Sequence, residues 1–138
     1  MAEVLDTLKR VPLFAGLSDR ELKRVAKSLQ EREFAEGTEI TTQDQSGVGF
    51  FVIDEGSADV KVGGQVVRSL GPGEYFGEIA LIDNGPRSAT VIATSALRCR
   101  GLTAWAFRPL VQHHPEMAWP ILEALVARLR EAEERPGT

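Results

Sequence analysis

Ala58-Asp59-Val60-Lys61-Val62-Gly63-Gly64-Gln65-Val66-Val67-Arg68-Ser69-Leu70 is the stretch whose reading decides the fold class. Two β-prone runs, Ala58 to Val62 and Gln65 to Leu70, flank Gly63-Gly64. Glycine reaches without strain the positive φ angles that a tight primed turn requires, so the stretch reads as a β-hairpin. Similar short runs lie on both sides: Glu31 to Phe34, Thr38 to Thr42 and Gly49 to Asp54 before it, Ala89 to Ala93 and Leu97 to Leu102 after it. Gly71-Pro72-Gly73 adds a second turn. Such spacing marks an antiparallel sandwich, roll or barrel.

Helical patterns flank this β region. Val4, Leu5, Leu8 and Val11 suggest a short helix stopped near Pro12. Ser18-Asp19-Arg20-Glu21 is a capping box, in which hydroxyl and carboxylate satisfy backbone donors reciprocally, and Leu22, Val25, Ala26 and Leu29 follow at helical spacing. A helix over 19–29 is expected. Thr103 is a candidate N-cap for a helix over Ala104 to Gln112, and Pro115 opens another segment where its missing N–H does no harm. Ile121, Leu122, Leu125, Val126 and Leu129 form an apolar stripe on the last helix, which is expected to kink or start at Pro120. The charged tail from Glu131 to Thr138 is expected to fray. The organisation is one domain, 1–138, with a helical segment 1–30, a β region 31–102 and helices over 103–134.

Composition removes several function classes. With 138 residues, 43% hydrophobic and 26% charged, the chain is suited to one folded water-soluble domain. Its 16 basic and 20 acidic residues give a formal charge of −4, so nucleic-acid binding is not expected. Cys99, the single cysteine, lies in the apolar run Ala96-Leu97-Arg98-Cys99 and reads as a small buried hydrophobe. His113-His114 reads as a helix end and not as a metal site, because adjacent helical residues point about 100° apart. Trp105 and Phe107 read as core anchors. The start, Met1 to Arg10, carries Glu3 and Asp6 and lacks the pattern of a signal peptide. No apolar run is long enough for a membrane span, and cytoplasmic residence is the default.

The chemistry concentrates in Tyr75-Phe76-Gly77-Glu78-Ile79-Ala80-Leu81-Ile82-Asp83-Asn84-Gly85-Pro86-Arg87-Ser88-Ala89-Thr90-Val91. A connection this long inside a compact domain is usually functional or disordered, and this one is too apolar for disorder. Gly77 lets the backbone approach a ligand, and the N–H groups of Glu78, Ile79 and Ala80 at the start of a helical turn suit an anion. Arg87, fixed by Pro86 and the following strand, can grip a phosphate bidentately, with Ser88 and Ala89 adding amide donors. A carboxylate beside a phosphate is repelled by it, so Glu78 must serve another part of the ligand, and a ribose hydroxyl fits.

Phe76-Gly77-Glu78-Ile79-Ala80-Leu81, followed by Pro86-Arg87-Ser88-Ala89-Thr90-Val91, closely resembles the phosphate-binding cassette of the cyclic-nucleotide-binding domain family. The resemblance extends to Phe50-Phe51-Val52-Ile53 before Gly56, to Leu70-Gly71, and to Pro115 with Arg128-Leu129-Arg130. It implies a mainly β fold with flanking helices: an eight-stranded antiparallel β-roll, jelly-roll-like, with N-terminal helices and a C-terminal lid helix. It also implies that Gly77 binds the phosphate by backbone, Glu78 the ribose by carboxylate and Arg87 the cyclic phosphate. Phe76, Ile79, Ala80, Pro86, Ser88 and Ala89 complete the cassette 76–91, and Val66 and Arg128 are further candidate contacts. The loop Gln43-Asp44-Gln45-Ser46-Gly47-Val48 departs from the family's usual turn.

The implied ligand is cAMP, with cGMP second because the Ser88 hydroxyl can contact guanine. No cofactor, metal or catalysis is implied. A regulatory module of this kind needs a protein effector, and its C-terminal helix offers a surface for a homodimer. Two readings from other classes stand beside it. One is a roll that binds no ligand and serves protein interaction; the other is a metal-dependent cupin-like enzyme, which would need two or three histidines inside the barrel.

Overall fold

A computed structural model describes residues 2–41, 49–83 and 89–134. The chain begins with α1 (Ala2–Arg10), a single helical turn at Pro12–Phe14, and α2 (Asp19–Ser28). Strands β1 (Gln30–Phe34), β2 (Glu39–Thr41), β3 (Gly49–Glu55), β4 (Ala58–Val62), β5 (Gln65–Leu70), β6 (Tyr75–Phe76), β7 (Thr90–Ala93) and β8 (Leu97–Thr103) follow. A turn at Glu78–Leu81 interrupts them, and α3 (Ala104–His113), a turn at Pro115–Met117 and α4 (Ala118–Glu134) close the chain.

The strands make two four-stranded antiparallel sheets, ordered β1-β8-β3-β6 and β2-β7-β4-β5. This is the expected β-roll with helices at both ends of the sequence. Strand β3 explains why its sequence is continuously apolar: alternate side chains enter two different cores. Phe51 and Ile53 join Ala58, Leu70, Val91, Leu97 and Cys99 inside the roll. Phe50 and Val52 turn the other way and pack with Leu8, Phe14, Leu22, Val25, Phe107 and Met117 beneath the helices. Phe14 meets Phe50 edge to face, with centroids 5.7 Å apart, which aligns ring edge with ring face. Gly101 on β8 is forced by this packing, since a Cβ there would sit 2.8 Å from the Phe51 ring.

The local signals translate into contacts. The Ser18 hydroxyl accepts from the Glu21 amide at 3.2 Å and the Glu21 carboxylate accepts from the Ser18 amide at 2.9 Å, completing the capping box. Thr103 caps α3 by accepting from the Ala106 amide. Gly63 and Gly64 take φ of 60° and 82° between β4 and β5, as the hairpin reading requires.

Two expectations change. Phe107 is buried, but Trp105 is 65% exposed and anchors nothing in the core. Pro120 neither kinks the last helix nor starts it, because α4 begins at Ala118 and the proline occupies the first turn, where no internal acceptor awaits an N–H. On the apolar stripe of α4 only Ile121 is buried, with Leu125 partly so, while Leu122, Val126 and Leu129 face solvent.

Candidate functional site

The segment after β5 is positioned by a two-residue strand. Phe76 on β6 pairs with Phe51 on β3, and their rings stack at 5.3 Å. Gly77 then takes φ 86° and ψ 13°, the left-handed conformation that spares only glycine strain, and swings the chain into the turn Glu78–Leu81. Buried Ala80 and Leu81 pin that turn to the body. Glu78 and Ile79 hold its first two positions, whose amides a helical turn leaves without internal partners. The Ala80 amide, expected to be available to an anion, is instead spent on the Gly77 carbonyl at 3.1 Å. At the far end of the connection, the Thr41 hydroxyl donates to the Ala89 carbonyl at 3.3 Å and ties it to β2.

These pieces border one cavity of about 500 Å³. Phe76, Gly77, Glu78, Ile79 and Ala80 line one side, and Ala89 with Thr41, Val91, Val60 and Arg68 of the sheet β2-β7-β4-β5 line the other. Tyr75 of β6, Asp83 from the cassette, Pro12, and Arg128 of α4 complete the wall. Its size and mixed lining suit a nucleotide-sized molecule, since ligand cavities span roughly 300–1,000 Å³.

The Glu78 side chain is only 15% exposed, and its carboxylate lies 3.5 Å from the Arg128 guanidinium. Arg128, a further candidate contact by sequence, is therefore directed at the carboxylate expected to serve the ribose. Tyr75 stands in the same field: burial first, then the Glu78 charge, push its phenol above the ordinary range, while Arg68, Arg128 and Arg10 oppose the shift. Its hydroxyl keeps its proton and stays available as a donor.

Of the site residues read from sequence, Phe76, Gly77, Glu78, Ile79, Ala80, Ala89 and Arg128 come together on this cavity. Pro86, Arg87 and Ser88 lie outside the described residues. Val66 does not join the lining and is 51% exposed. The reason is a register shift in the hairpin: Val60 pairs with Arg68 but Lys61 pairs with Val66, leaving Val67 as an extra residue. Cross-strand partners share a face, so Val66 follows Lys61 to the side opposite Val60. Arg68 keeps the inward face of Leu70 two residues on, a parity signal the sequence did carry. Pro12, Thr41, Val60, Arg68, Tyr75, Asp83 and Val91 are the lining residues that sequence reasoning left out of the site.

Elsewhere the cysteine and the two histidines have ordinary surroundings. Cys99 is buried, its thiol pushed up to about 12 by burial and by Asp54. His113 faces the Pro109 carbonyl at 2.7 Å and His114 lies 3.8 Å from Glu116. Among the described residues no cluster of metal-ligating side chains forms, and no helix is long and apolar enough to cross a membrane.

The sequence pattern described as the cyclic nucleotide-binding domain matches residues 31–114. A cAMP-dependent protein kinase regulatory subunit of Mycosarcoma maydis is 46% identical over 93 residues, covering 64% of this chain and 18% of that protein. The chain thus spans about a fifth of the length of such relatives. The N-terminal domain of a transcriptional regulator from Streptomyces coelicolor A3(2) superposes with a TM-score of 0.83 at 29% identity, covering 96% of both chains. The regulatory domain of Toxoplasma gondii PKA with cAMP superposes with a TM-score of 0.68 at 29% identity, covering 79% of this chain and 43% of that one.

Proposed function

The chain belongs to the cyclic nucleotide-binding domain family, and on that premise we propose that its cavity takes a cyclic purine nucleotide, cAMP in the first instance, and that α4 responds to occupancy. The observation that carries this reading is the nearly buried Glu78 carboxylate, set at the first position of the Gly77 turn on a nucleotide-sized cavity and engaged there by α4 through Arg128. The amides of Glu78 and Ile79 face the phosphate, and the Arg87 guanidinium grips it as a fork. A ribose hydroxyl donates to Glu78.

Coupling follows from shared acceptors. The Glu78 oxygens that hold Arg128 are those the ribose hydroxyl needs, so ligand entry changes the tie between cassette and helix. The helix can shift only by as much as the ligand's affinity differs between its positions. The module makes and breaks no bonds and passes its state to a protein effector in the cytoplasm. The half-exposed Leu122, Val126 and Leu129 support a homodimer surface on α4.

Calorimetric titration with cAMP tests the reading. Two charge-assisted hydrogen bonds contribute about 1.5–3 kcal/mol each, so Arg87→Ala is expected to weaken binding on the order of a hundredfold or more. Arg87→Lys should also fail largely, since a point charge cannot reproduce the fork. Unchanged affinity in Arg87→Ala would contradict it.

A further inference from the structure

We propose that Arg10, the last residue of α1, is a positioning residue for the ligand: it holds the turn that leads into the cassette and so keeps the cavity in the form that binds. The inference rests on the cyclic-nucleotide reading of the cavity and names a residue that acts on it from outside the lining.

Arg10 ends α1, where the unpaired carbonyls of a helix favour a cation, and its Nη2 donates to the Gly73 carbonyl at 2.5 Å. Glu3 and Asp6 border the same cleft, yet the guanidinium bonds to this neutral oxygen. The hydroxyl of buried Thr7 stands 3.2 Å from the Gly73 carbonyl and 3.2 Å from that of Glu3, with one proton to give. Arg10 also donates to that hydroxyl oxygen, at 3.5 Å. Val4 and Leu8 sink α1 into the core beneath the helices, so the hold on Gly73 comes from an anchored element.

The turn so held is the approach to the cassette. Gly73 takes φ 83° and donates its N–H to the Ile53 carbonyl at 2.9 Å, while the Glu74 carbonyl accepts from the Ile53 amide at 2.8 Å. These bonds stitch the turn to the end of β3. Only Tyr75 and Phe76, the two residues of β6, then precede Gly77 and the turn that carries Glu78. A strand this short has little pairing of its own, so its placement depends on what holds its start. Pro12, two residues beyond Arg10, lies on the cavity wall, and the Arg10 charge is felt at the Tyr75 phenol on that wall. The end of α1 thus borders the cavity at Pro12 and grips the approach to Glu78 at Gly73.

Releasing that grip has a kinetic signature. A cavity whose cassette is in place only part of the time binds with an apparent Kd raised by the reciprocal of the competent fraction. A bound nucleotide holds the cassette itself, so the loss falls on association and leaves dissociation alone. One net hydrogen bond corresponds to roughly 2- to 13-fold in an equilibrium constant.

The test is calorimetric titration of cAMP into the wild type, Arg10→Ala and Arg10→Lys, with dissociation read by chasing isotope-labelled cAMP with unlabelled cAMP. Arg10→Ala is expected to bind cAMP about 2- to 13-fold more weakly, with an unchanged off-rate. Arg10→Lys keeps a cationic N–H donor for a single oxygen and should restore most of the affinity. Because the Arg10 side chain is exposed, both variants should unfold near the wild-type midpoint, which is checked alongside. Equal affinity in the wild type and Arg10→Ala, a faster off-rate that accounts for the loss, or a loss that Arg10→Lys shares in full would overturn the role of Arg10 and leave the cavity reading standing. Absence of cAMP binding by the wild type would overturn the cavity reading, and this inference with it.

Discussion

Helices α2 and α4 both carry an apolar stripe at helical spacing, but the fold buries only one of them. On α2, Leu22, Val25 and Ala26 are buried against the helical core, and the capping box fixes the first turn. On α4, Leu122, Val126 and Leu129 remain 49%, 50% and 59% exposed. That helix is held at its start, where Ile121 enters the core and Pro120 lies against Gly16, so closely that a Cβ on the glycine would sit 3.2 Å from the proline side chain. Farther along, Arg128 reaches Glu78. A partly exposed ion pair contributes about 0–1 kcal/mol, against several for a buried apolar contact. Packing sets α2, whereas the distal half of α4 is set by a weak tie to the ligand cavity. The difference separates scaffold from responding element.

Substitutions at matched positions sharpen the contrast. Leu22→Ala on α2 is expected to cost about 2–5 kcal/mol in denaturant unfolding, through lost burial and the cavity left behind. The roll interior belongs with α2 in this respect, and Cys99 reports on it. Its folded thiol titrates near 12, above the unfolded range, so the unfolded chain loses the proton first. Stability is therefore full below the unfolded thiol pKa and falls as pH rises toward 12, and a thiol reagent should label Cys99 only at the rate of unfolding. A Cys99→Ala variant with the same alkaline loss would remove that assignment. Ser18→Ala should cost about 1 kcal/mol, the usual worth of an N-cap. Leu129→Ala on α4 should change stability by less than about 0.5 kcal/mol, as surface substitutions do. A cost comparable to Leu22→Ala would show that the α4 stripe is covered in solution.

What the sequence made legible depended on how local the cause was. The hairpin at Gly63-Gly64, the box at Ser18 and Glu21, and the strand at Gly49 to Asp54 each follow from a few adjacent side chains, although the two cores that strand serves appear only in the fold. The Gly77 turn was legible for the same reason, because one residue type carries the left-handed conformation. Strand β6 was not, since two residues cannot display a period and its existence depends on Phe51 across the sheet. The Val67 bulge was equally hidden, as Val66, Val67 and Arg68 carry no glycine to mark it. That single residue turned Val66 out of the cavity and left Arg68 as the β5 contribution. Trp105 failed for a related reason: Trp105 and Phe107 lie on different faces of α3, and only one face meets the core.

Amide hydrogen exchange of the wild-type chain with and without saturating cAMP tests most directly the claim that cassette and α4 respond as one site. The account predicts slower exchange on binding in the turn at Glu78–Leu81 and altered exchange in the helix Ala118–Glu134, with α2 unchanged. A change confined to the cassette, or absent from both stretches, would contradict it.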